Sequence, residues 1–173
     1  EEPWPDKLIS NLPYSDGNRI LMNYFMADIP FERMVIMVQD DVAERLCAGP
    51  GSRDYSLLSI WTQLDYEVVE RKTIRPGCFY PAPSIDSTLL AFQRRNTASP
   101  RDRGHFARLL KLTFGQRRKQ IATQLRKAPK DVVDQPDRLE SILEEIGIRP
   151  TQRPEELPVD VWVALSDRLQ NHG

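Results

Sequence analysis

The chain has 173 residues, of which 40% are hydrophobic and 28% charged, and its formal net charge is −1. It has no apolar run near the ~20 residues of a membrane span, and it does not begin with the basic and apolar segments of a signal peptide. Cys47 and Cys78 lack CxxC spacing and a histidine partner, so we expect a globular cytoplasmic protein with reduced thiols, no bound metal and no membrane contact.

The first hundred residues alternate between strand and helix patterns. We predict strands over 7–10, 34–38, 67–74 and 85–94, and helices over 18–27, 41–47 and 55–64. The continuous apolar run at 34–38 is typical of a strand covered on both faces. The strands are too few for a complete doubly wound sheet, and no glycine-rich strand–turn–helix unit stands near the start. The pattern therefore predicts an α/β segment over 1–96 that begins in the middle of a domain.

After a predicted linker at 96–100, the apolar residues recur with helical spacing, and Gly147 is a predicted C-cap. This part predicts a small helical domain over 97–173. Residues 101–130 carry ten Lys or Arg and one Asp, a net charge of +9, between two acidic flanks. Such a block is either a phosphate-binding surface or a solvated helix face, and charge alone favours neither.

The tetrapeptide Asn11-Leu12-Pro13-Tyr14 follows the first predicted strand and has the form of an amino-methyltransferase signature. An exocyclic adenine amine is a weak nucleophile because its lone pair is delocalised into the ring. The Asn11 side-chain oxygen and the Leu12 carbonyl can accept hydrogen bonds from its two N–H groups, while Pro13 fixes the turn. Tyr14 offers a ring on which the base can stack. The alternative is an ordinary turn at a strand end.

A second group of residues, 79–87, precedes the last predicted strand with the sequence Phe-Tyr-Pro-Ala-Pro-Ser-Ile-Asp-Ser. A stiff Pro-x-Pro loop that presents an aromatic ring can form the other wall of a base pocket, because an unstacked base needs both faces covered. We assign this role to Phe79, and we expect Asp86 and Ser87 to organise the loop through hydrogen bonds to the backbone. The alternative is that Phe79 is a core aromatic that anchors the loop.

The order and spacing of segments 11–14, 39–46 and 79–87 resemble those of the KsgA-type rRNA adenine N6,N6-dimethyltransferases. Segments 114–119 and 153–157 also resemble that family, rather than the Erm-type 23S rRNA methyltransferases, which share the first half. The resemblance implies an α/β fold: the C-terminal part of a Rossmann-like, S-adenosylmethionine-dependent methyltransferase domain over 1–96, followed by an all-helical rRNA-binding domain over 97–173. The implied substrate is adenine in small-subunit rRNA of an immature 30S-type subunit.

The resemblance also implies site residues. Asn11, Leu12, Pro13 and Tyr14 would contact the target adenine, the first three also the methyl donor, and Phe79 would stack on the base. Two departures stand out. The family's glycine-rich donor loop and acidic ribose-binding residue are not in this chain, so we expect it alone to bind the donor weakly or not at all and to be inactive. Residues 15–19 replace the family's usual Asn-Ile-Ser-Ser/Thr-Pro.

Within this family context, the basic block is interpreted as an rRNA phosphate surface that also includes His105 and Lys127. The predicted contacts are Arg108, Lys111, Arg117, Arg118, Lys119 and Arg126. The alternative for Arg117 or Arg118 is an internal salt bridge to the acids of 137–156, and Arg153 is interpreted as a structural partner of Glu155 and Glu156.

Two other functions compete with rRNA methylation: a non-catalytic RNA-binding or ribosome-assembly module, and a DNA or protein amino-methyltransferase. The sequence specifies no oligomeric state.

Overall fold

The computed structural model describes residues 5–27, 29, 31–97 and 99–170. The chain forms two compact units, one of residues 1–48 and 61–97 and the other of residues 49–60 and 98–173. The sequence-based division at residue 96 assigns 49–60 to the first domain, whereas the structure groups that segment with the helical unit. The predicted linker at 96–100 has no regular structure where it is described, and Ala98 lies outside the described residues.

The first unit is built on a mixed sheet whose four strands, in the described part of the chain, have the order β1-β2-β4-β3. The strands are β1 (Lys7–Asn11), β2 (Arg33–Gln39), β3 (Tyr66–Ile74) and β4 (Ser87–Arg94). β1 runs parallel to β2, while β4 is antiparallel to both β2 and β3. The C-terminal ends of β1, β2 and β3 and the N-terminal end of β4 therefore meet at one end of the sheet.

The sheet is covered unequally on its two faces. Met34, Ile36 and Val38 of β2 are buried, as are Leu90 and Phe92 of β4. The alternate side chains of β2 are only half-buried, and Ile9 of β1 is 84% exposed. The prediction that the apolar run at 34–38 is covered on both faces is therefore only partly confirmed: in the described part of the chain one face of β2 is buried and the other only half-buried.

Three helices accompany the sheet in the described residues: α1 (Gly17–Met26), α2 (Asp40–Cys47) and α3 (Leu57–Asp65), whose first turn belongs to the second unit. α1 buries Gly17, Leu21 and Phe25 at four-residue spacing. α2 has Asp40 and Asp41 in its first turn, where the helix dipole favours negative charge. The predicted elements of this half are confirmed, with ends that shift by one or two residues.

The second unit is helical, as predicted. Its helices are α4 (Arg103–Phe114), α5 (Ile121–Leu125), α6 (Leu139–Ile146) and α7 (Val159–Leu169). Short 3₁₀ turns occur in the two units at Pro76–Cys78, Pro136–Arg138 and Pro154–Glu156. The predicted cap is confirmed: Gly147 ends α6 with φ +80, a conformation that costs glycine little. Across the described ranges, no helix has the length and apolarity needed to cross a membrane.

The core of the helical unit contains aromatic side chains and a few satisfied polar groups. The Phe114 ring lies 5.8 Å from the Trp162 ring and 6.4 Å from the Tyr55 ring. The Tyr55 hydroxyl donates to the Leu157 carbonyl at 2.9 Å, and burial, with a smaller contribution from Asp160, raises the pKa of this phenol well above its usual value.

Candidate active site and nucleic-acid surface

The two predicted parts of the base pocket lie at the same end of the sheet. The tetrapeptide leaves the C-terminal end of β1, while the 79–86 loop leads into the N-terminal end of β4. Asn11 is paired with Met37 and Ser87 with Gln39 across β2, so one strand separates the two segments. With a strand spacing of ~4.8 Å, their backbones stand roughly 10 Å apart.

A side-chain hydrogen bond connects these segments. The Tyr14 hydroxyl and the Ser87 hydroxyl are 2.8 Å apart. Ser87 is buried, whereas Tyr14 is 43% exposed, so the phenol end of the ring is held while much of the ring surface faces solvent. The sequence predicts that Ser87 bonds to the backbone of its own loop; in the structure its hydroxyl instead pairs with Tyr14, 73 residues away.

The hydrogen bonds around the tetrapeptide leave two acceptors available. The Leu12 N–H donates to the Met37 carbonyl at 3.1 Å, and the Pro13 carbonyl accepts from the Gly17 N–H at 2.8 Å. Within the described residues, no hydrogen bond occupies the exposed Asn11 side chain or the Leu12 carbonyl. These are the two oxygens that the sequence proposes as acceptors for an adenine amine.

The turn depends on a close approach between Leu12 and the first residue of α1. Leu12 is 4% exposed, and a Cβ added to Gly17 would meet the Leu12 Cβ at 3.2 Å. The substituted segment 15–19 forms a local ion pair between Asp16 and Arg19 at 3.1 Å. The turn therefore folds around a buried leucine and a glycine, although the usual family residues are replaced.

A carboxylate network, not foreseen from the sequence, supports this end of the sheet. Asp40 accepts from the Thr88 hydroxyl at 2.6 Å and from Arg71 at 3.2 Å, and Arg71 also donates to Glu44. The hydrogen bond to Glu44 is the main cause of the raised pKa of the Arg71 guanidinium. The network joins the start of α2 to β3 and β4 beside Ser87.

The loop that carries Phe79 is anchored by its backbone. The Phe79 N–H donates to the Pro76 carbonyl at 3.0 Å. Phe79 itself is half-buried, whereas its neighbour Tyr80 is fully exposed. The loop is thus at the sheet end where a base-stacking residue is needed, and the stacking role of Phe79 stays a prediction.

The surface at the tetrapeptide is shallow. A depression with about 190 Å³ of empty volume is lined by Leu12, Pro13, Tyr14, Gly17, Asn18, Val38, Gln39 and Val42. The depression is open to solvent, so its residues form one wall of the expected base and methyl-donor site, not a complete enclosure.

In the helical unit, ion pairs divide the predicted RNA contacts into two sets. Arg108 lies 3.5 Å from Asp131, Arg117 lies 2.6 Å from Glu155, and Arg126 lies 2.8 Å from Glu140. Three other predicted contacts are exposed and have no ion-pair partner within the described ranges: Lys111, Arg118 and Lys119. The cations of the second set are therefore available to bind phosphate groups.

Arg117 forms an internal salt bridge, which is the alternative interpretation of this residue. Besides Glu155, its guanidinium donates to the Arg53 carbonyl at 3.0 Å, so it ties segment 49–60 to the helical unit. The expected pairing of Arg153 with Glu155 and Glu156 is only partly correct: Glu155 pairs with Arg117, and the Glu156 carboxylate accepts from the Arg153 backbone N–H at 3.0 Å.

The inclusion of His105 in the basic surface is wrong. His105 is 1% exposed, its Nδ1 lies 2.8 Å from the Ser166 hydroxyl, and its Nε2 lies 2.9 Å from the Val132 carbonyl. A carbonyl only accepts, so Nε2 carries a hydrogen, and in the neutral ring Nδ1 accepts from Ser166. This histidine joins three elements of the core.

The family model described as ribosomal RNA adenine dimethylase matches residues 5–170. The chain belongs to this family. The resemblance seen in the motifs is therefore confirmed, and the tetrapeptide and the 79–87 loop are to be understood as parts of an rRNA adenine dimethylase fold.

Bacterial relatives show the same relationship. The chain is 37% identical over 172 residues to the ribosomal RNA small subunit methyltransferase A of Syntrophotalea carbinolica, covering 97% of this chain and 63% of that protein. It is 35% identical over 174 residues to the corresponding protein of Geobacter metallireducens, covering 99% of this chain and 62% of that protein. The chain thus spans about three fifths of the length of these curated relatives.

Solved structures confirm the expected fold class. A dimethyladenosine transferase from Plasmodium falciparum superposes with a TM-score of 0.77 at 20% identity, covering 95% of this chain and 66% of that one. The 23S rRNA methyltransferase ErmE gives a TM-score of 0.64 at 22% identity, covering 98% of this chain and 67% of that one. The sheet and its helices are consistent with part of a Rossmann-like methyltransferase domain, and the helical unit follows it.

Proposed function

We propose that the protein containing this chain transfers methyl groups from S-adenosylmethionine to N6 of adenines in small-subunit rRNA during ribosome assembly in the cytoplasm. The observation that carries the proposal is the Tyr14–Ser87 hydrogen bond of 2.8 Å. It joins the tetrapeptide to the end of the Phe79 loop in a chain of the rRNA adenine dimethylase family. A flat base and its amine would be held at this end of the sheet.

Asn11 and Leu12 would activate the amine. The Asn11 side-chain oxygen and the Leu12 carbonyl accept one N6–H each, which favours the pyramidal nitrogen whose lone pair is available. Both oxygens are without partners in the part of the chain that is described, so no existing hydrogen bond must be broken. Orientation of the amine is the main contribution, since well-aligned reactants can gain ~7–11 kcal/mol over free ones.

Tyr14 and Phe79 would cover the two faces of the adenine. The Ser87 hydroxyl fixes the Tyr14 ring, so stacking requires little further loss of side-chain freedom. Stacking on an aromatic ring is worth roughly 1–3 kcal/mol per base. The half-buried Phe79 would approach the base from the opposite side, carried by its loop.

The methyl donor, when bound, supplies an electrophilic sulfonium methyl group. Asn11, Leu12 and Pro13 would form the wall of its site next to the amine. The depression at the tetrapeptide is shallow and open to solvent, so the residues named here would contact only the reactive end of the donor and orient it.

The unpaired cations of the helical unit would bind rRNA phosphates. Lys111, Arg118 and Lys119 give affinity without sequence reading, since phosphate contacts position a protein on RNA without specifying bases. The preferred substrate would be an immature 30S-type subunit, in which the target adenines are accessible.

The test is a methylation assay on undermethylated small subunits, using the protein encoded by the full reading frame that contains this chain. Wild-type protein should incorporate methyl groups into adenine. Phe79→Ala should lower kcat/KM by about 5- to 150-fold, the equivalent of one stacking interaction. Tyr14→Phe, which keeps the ring and removes the bond to Ser87, should have a smaller effect.

A matched control is Val69→Ala, which shortens a 60% exposed side chain on β3. It should methylate like the wild type. Unchanged activity in Phe79→Ala would contradict the base-pocket assignment. A wild-type protein that binds small subunits but incorporates no methyl group would instead favour the non-catalytic RNA-binding module.

A further inference from the structure

A polar groove lies within the helical unit, and its lining includes no residue of the tetrapeptide or of the 79–87 loop. It has about 440 Å³ of empty volume and is formed by the end of α4, the turn that follows it, and α5. Its lining consists of Leu112, Gln116, Lys119, Thr123, Gln124 and Lys127. No carboxylate is among these residues, so the groove is cationic.

The groove has a rigid base because of Gln124. This side chain is 7% exposed, and its Nε2 donates to the Gln116 carbonyl at 3.2 Å and to the Lys119 carbonyl at 3.0 Å. Gln124 therefore holds the turn that presents Arg118 and Lys119. Both partners are carbonyls, so the nitrogen must face them and the amide cannot be reversed.

This orientation leaves a buried acceptor without a donor. The Oε1 atom of Gln124 has no hydrogen-bond partner in the described structure. Buried polar atoms are nearly always paired, and an unpaired one calls for an explanation. A hydroxyl donor bound in the groove would satisfy it.

Other groups of the groove are also available to a ligand. The Lys119 and Lys127 side chains are exposed, and no acid pairs with either in the described part of the chain. The half-buried Thr123 likewise makes no side-chain hydrogen bond there. Two ammonium groups, a hydroxyl and an unpaired acceptor together suit a ligand that carries both an anionic group and a hydroxyl group.

We propose that this groove binds one phosphate–ribose unit of an RNA strand. Lys119 and Lys127 bind the phosphate, Thr123 contacts the ribose 2′-hydroxyl, and that hydroxyl donates to the Gln124 Oε1. The 2′-hydroxyl is the group by which a protein distinguishes RNA from DNA. The inference rests on the proposed rRNA function and adds to it a site that selects RNA by its sugar.

The test measures binding of a fluorescent single-stranded RNA and of the same sequence as DNA by anisotropy at several salt concentrations, with the protein encoded by the full reading frame that contains this chain. The wild type should bind the RNA more tightly. Thr123→Val, which keeps the side-chain shape, should weaken RNA binding by about 3- to 10-fold and leave DNA binding within about 2-fold.

Lys119→Gln with Lys127→Gln should weaken the binding of both strands. It should also reduce the slope of log affinity against log salt by roughly 0.7 for each phosphate that the variant no longer neutralises. The matched control is Lys7→Gln with Lys72→Gln, which removes the same charge from exposed positions of the first unit. Far-UV circular dichroism verifies that each variant is folded.

The inference is overturned if Thr123→Val leaves the RNA-to-DNA ratio unchanged, or if the groove lysines matter no more than the control pair. Absence of RNA binding by the wild type also overturns it. The methylation assay gives a separate result. If the groove binds RNA as expected but no methylation occurs, only the proposed reaction is contradicted. If methylation occurs but the groove variants do not change RNA binding, only this site is contradicted.

Discussion

His105 allows the strongest test of the helical core. Replacing it by phenylalanine keeps a flat ring but removes both ring nitrogens, which lie 2.8 Å from the Ser166 hydroxyl and 2.9 Å from the Val132 carbonyl. Val132 and Ser166 are 3% and 0% exposed, so water does not replace the two hydrogen bonds. An unpaired buried carbonyl costs about 1–3 kcal/mol, while the serine can turn to a carbonyl in its own helix at lower cost.

We therefore expect His105→Phe to lower the free energy of unfolding by about 2–4 kcal/mol, measured by urea denaturation with far-UV circular dichroism. The matched control is Thr113→Val. The Thr113 hydroxyl is also buried, but it donates within α4 to Leu109 and Leu110, whose carbonyls also serve the helix. Thr113→Val should lower the free energy of unfolding by less than about 1 kcal/mol. Equal costs in the two variants would refute the view that His105 joins separate core elements.

Two further predictions concern helix ends. Gly147→Ala should destabilise the chain by about 1–2 kcal/mol in the same urea assay, because φ is +80 there, whereas Gly49→Ala, with open space around it, should be nearly neutral; equal effects would contradict the cap. Asp102 caps α4, and the hydrogen bond from the His105 backbone N–H is the main cause of its lowered pKa. Its contribution is therefore present above the unfolded-state pKa of ~3.9 and is lost as pH falls through the lower folded-state pKa. Asp102→Asn should flatten that part of the urea midpoint–pH curve, and an unchanged curve would contradict the assignment.

The secondary structure was largely predictable because its signals are local. The period-2 and period-3.6 patterns indicated each strand and helix, and Gly147 indicated a helix end. Which face of β2 is more deeply buried was not predictable, since the half-buried Val35 and Met37 are as apolar as the buried Ile36. The grouping of 49–60 with the helical unit was also missed, because the hydrogen bonds from Arg117 to the Arg53 carbonyl and from Tyr55 to the Leu157 carbonyl connect residues far apart in sequence.

The sequence proposes the residues of the candidate site, but it does not indicate the contacts between them. The tetrapeptide and the aromatic loop carry local motifs, and the strand order explains why they share a sheet end. The Tyr14–Ser87 bond spans 73 residues, and the Asp40–Arg71 contact spans 31. No pattern of spacing encodes such pairs. His105 was misplaced for the same reason: histidine is polar in sequence, and only its partners Val132 and Ser166 reveal a core position.

The charge of the basic block overstates the positive surface available to RNA. Its net charge of +9 counts Arg108, Arg117 and Arg126, each of which has an acidic partner in the same unit. The planar guanidinium suits carboxylates in fixed geometry, whereas lysine is a mobile point charge. In the described structure, Lys111, Arg118, Lys119 and Lys127 have no such partner. The salt dependence of RNA binding should therefore follow these unpaired cations, not the formal charge of the segment.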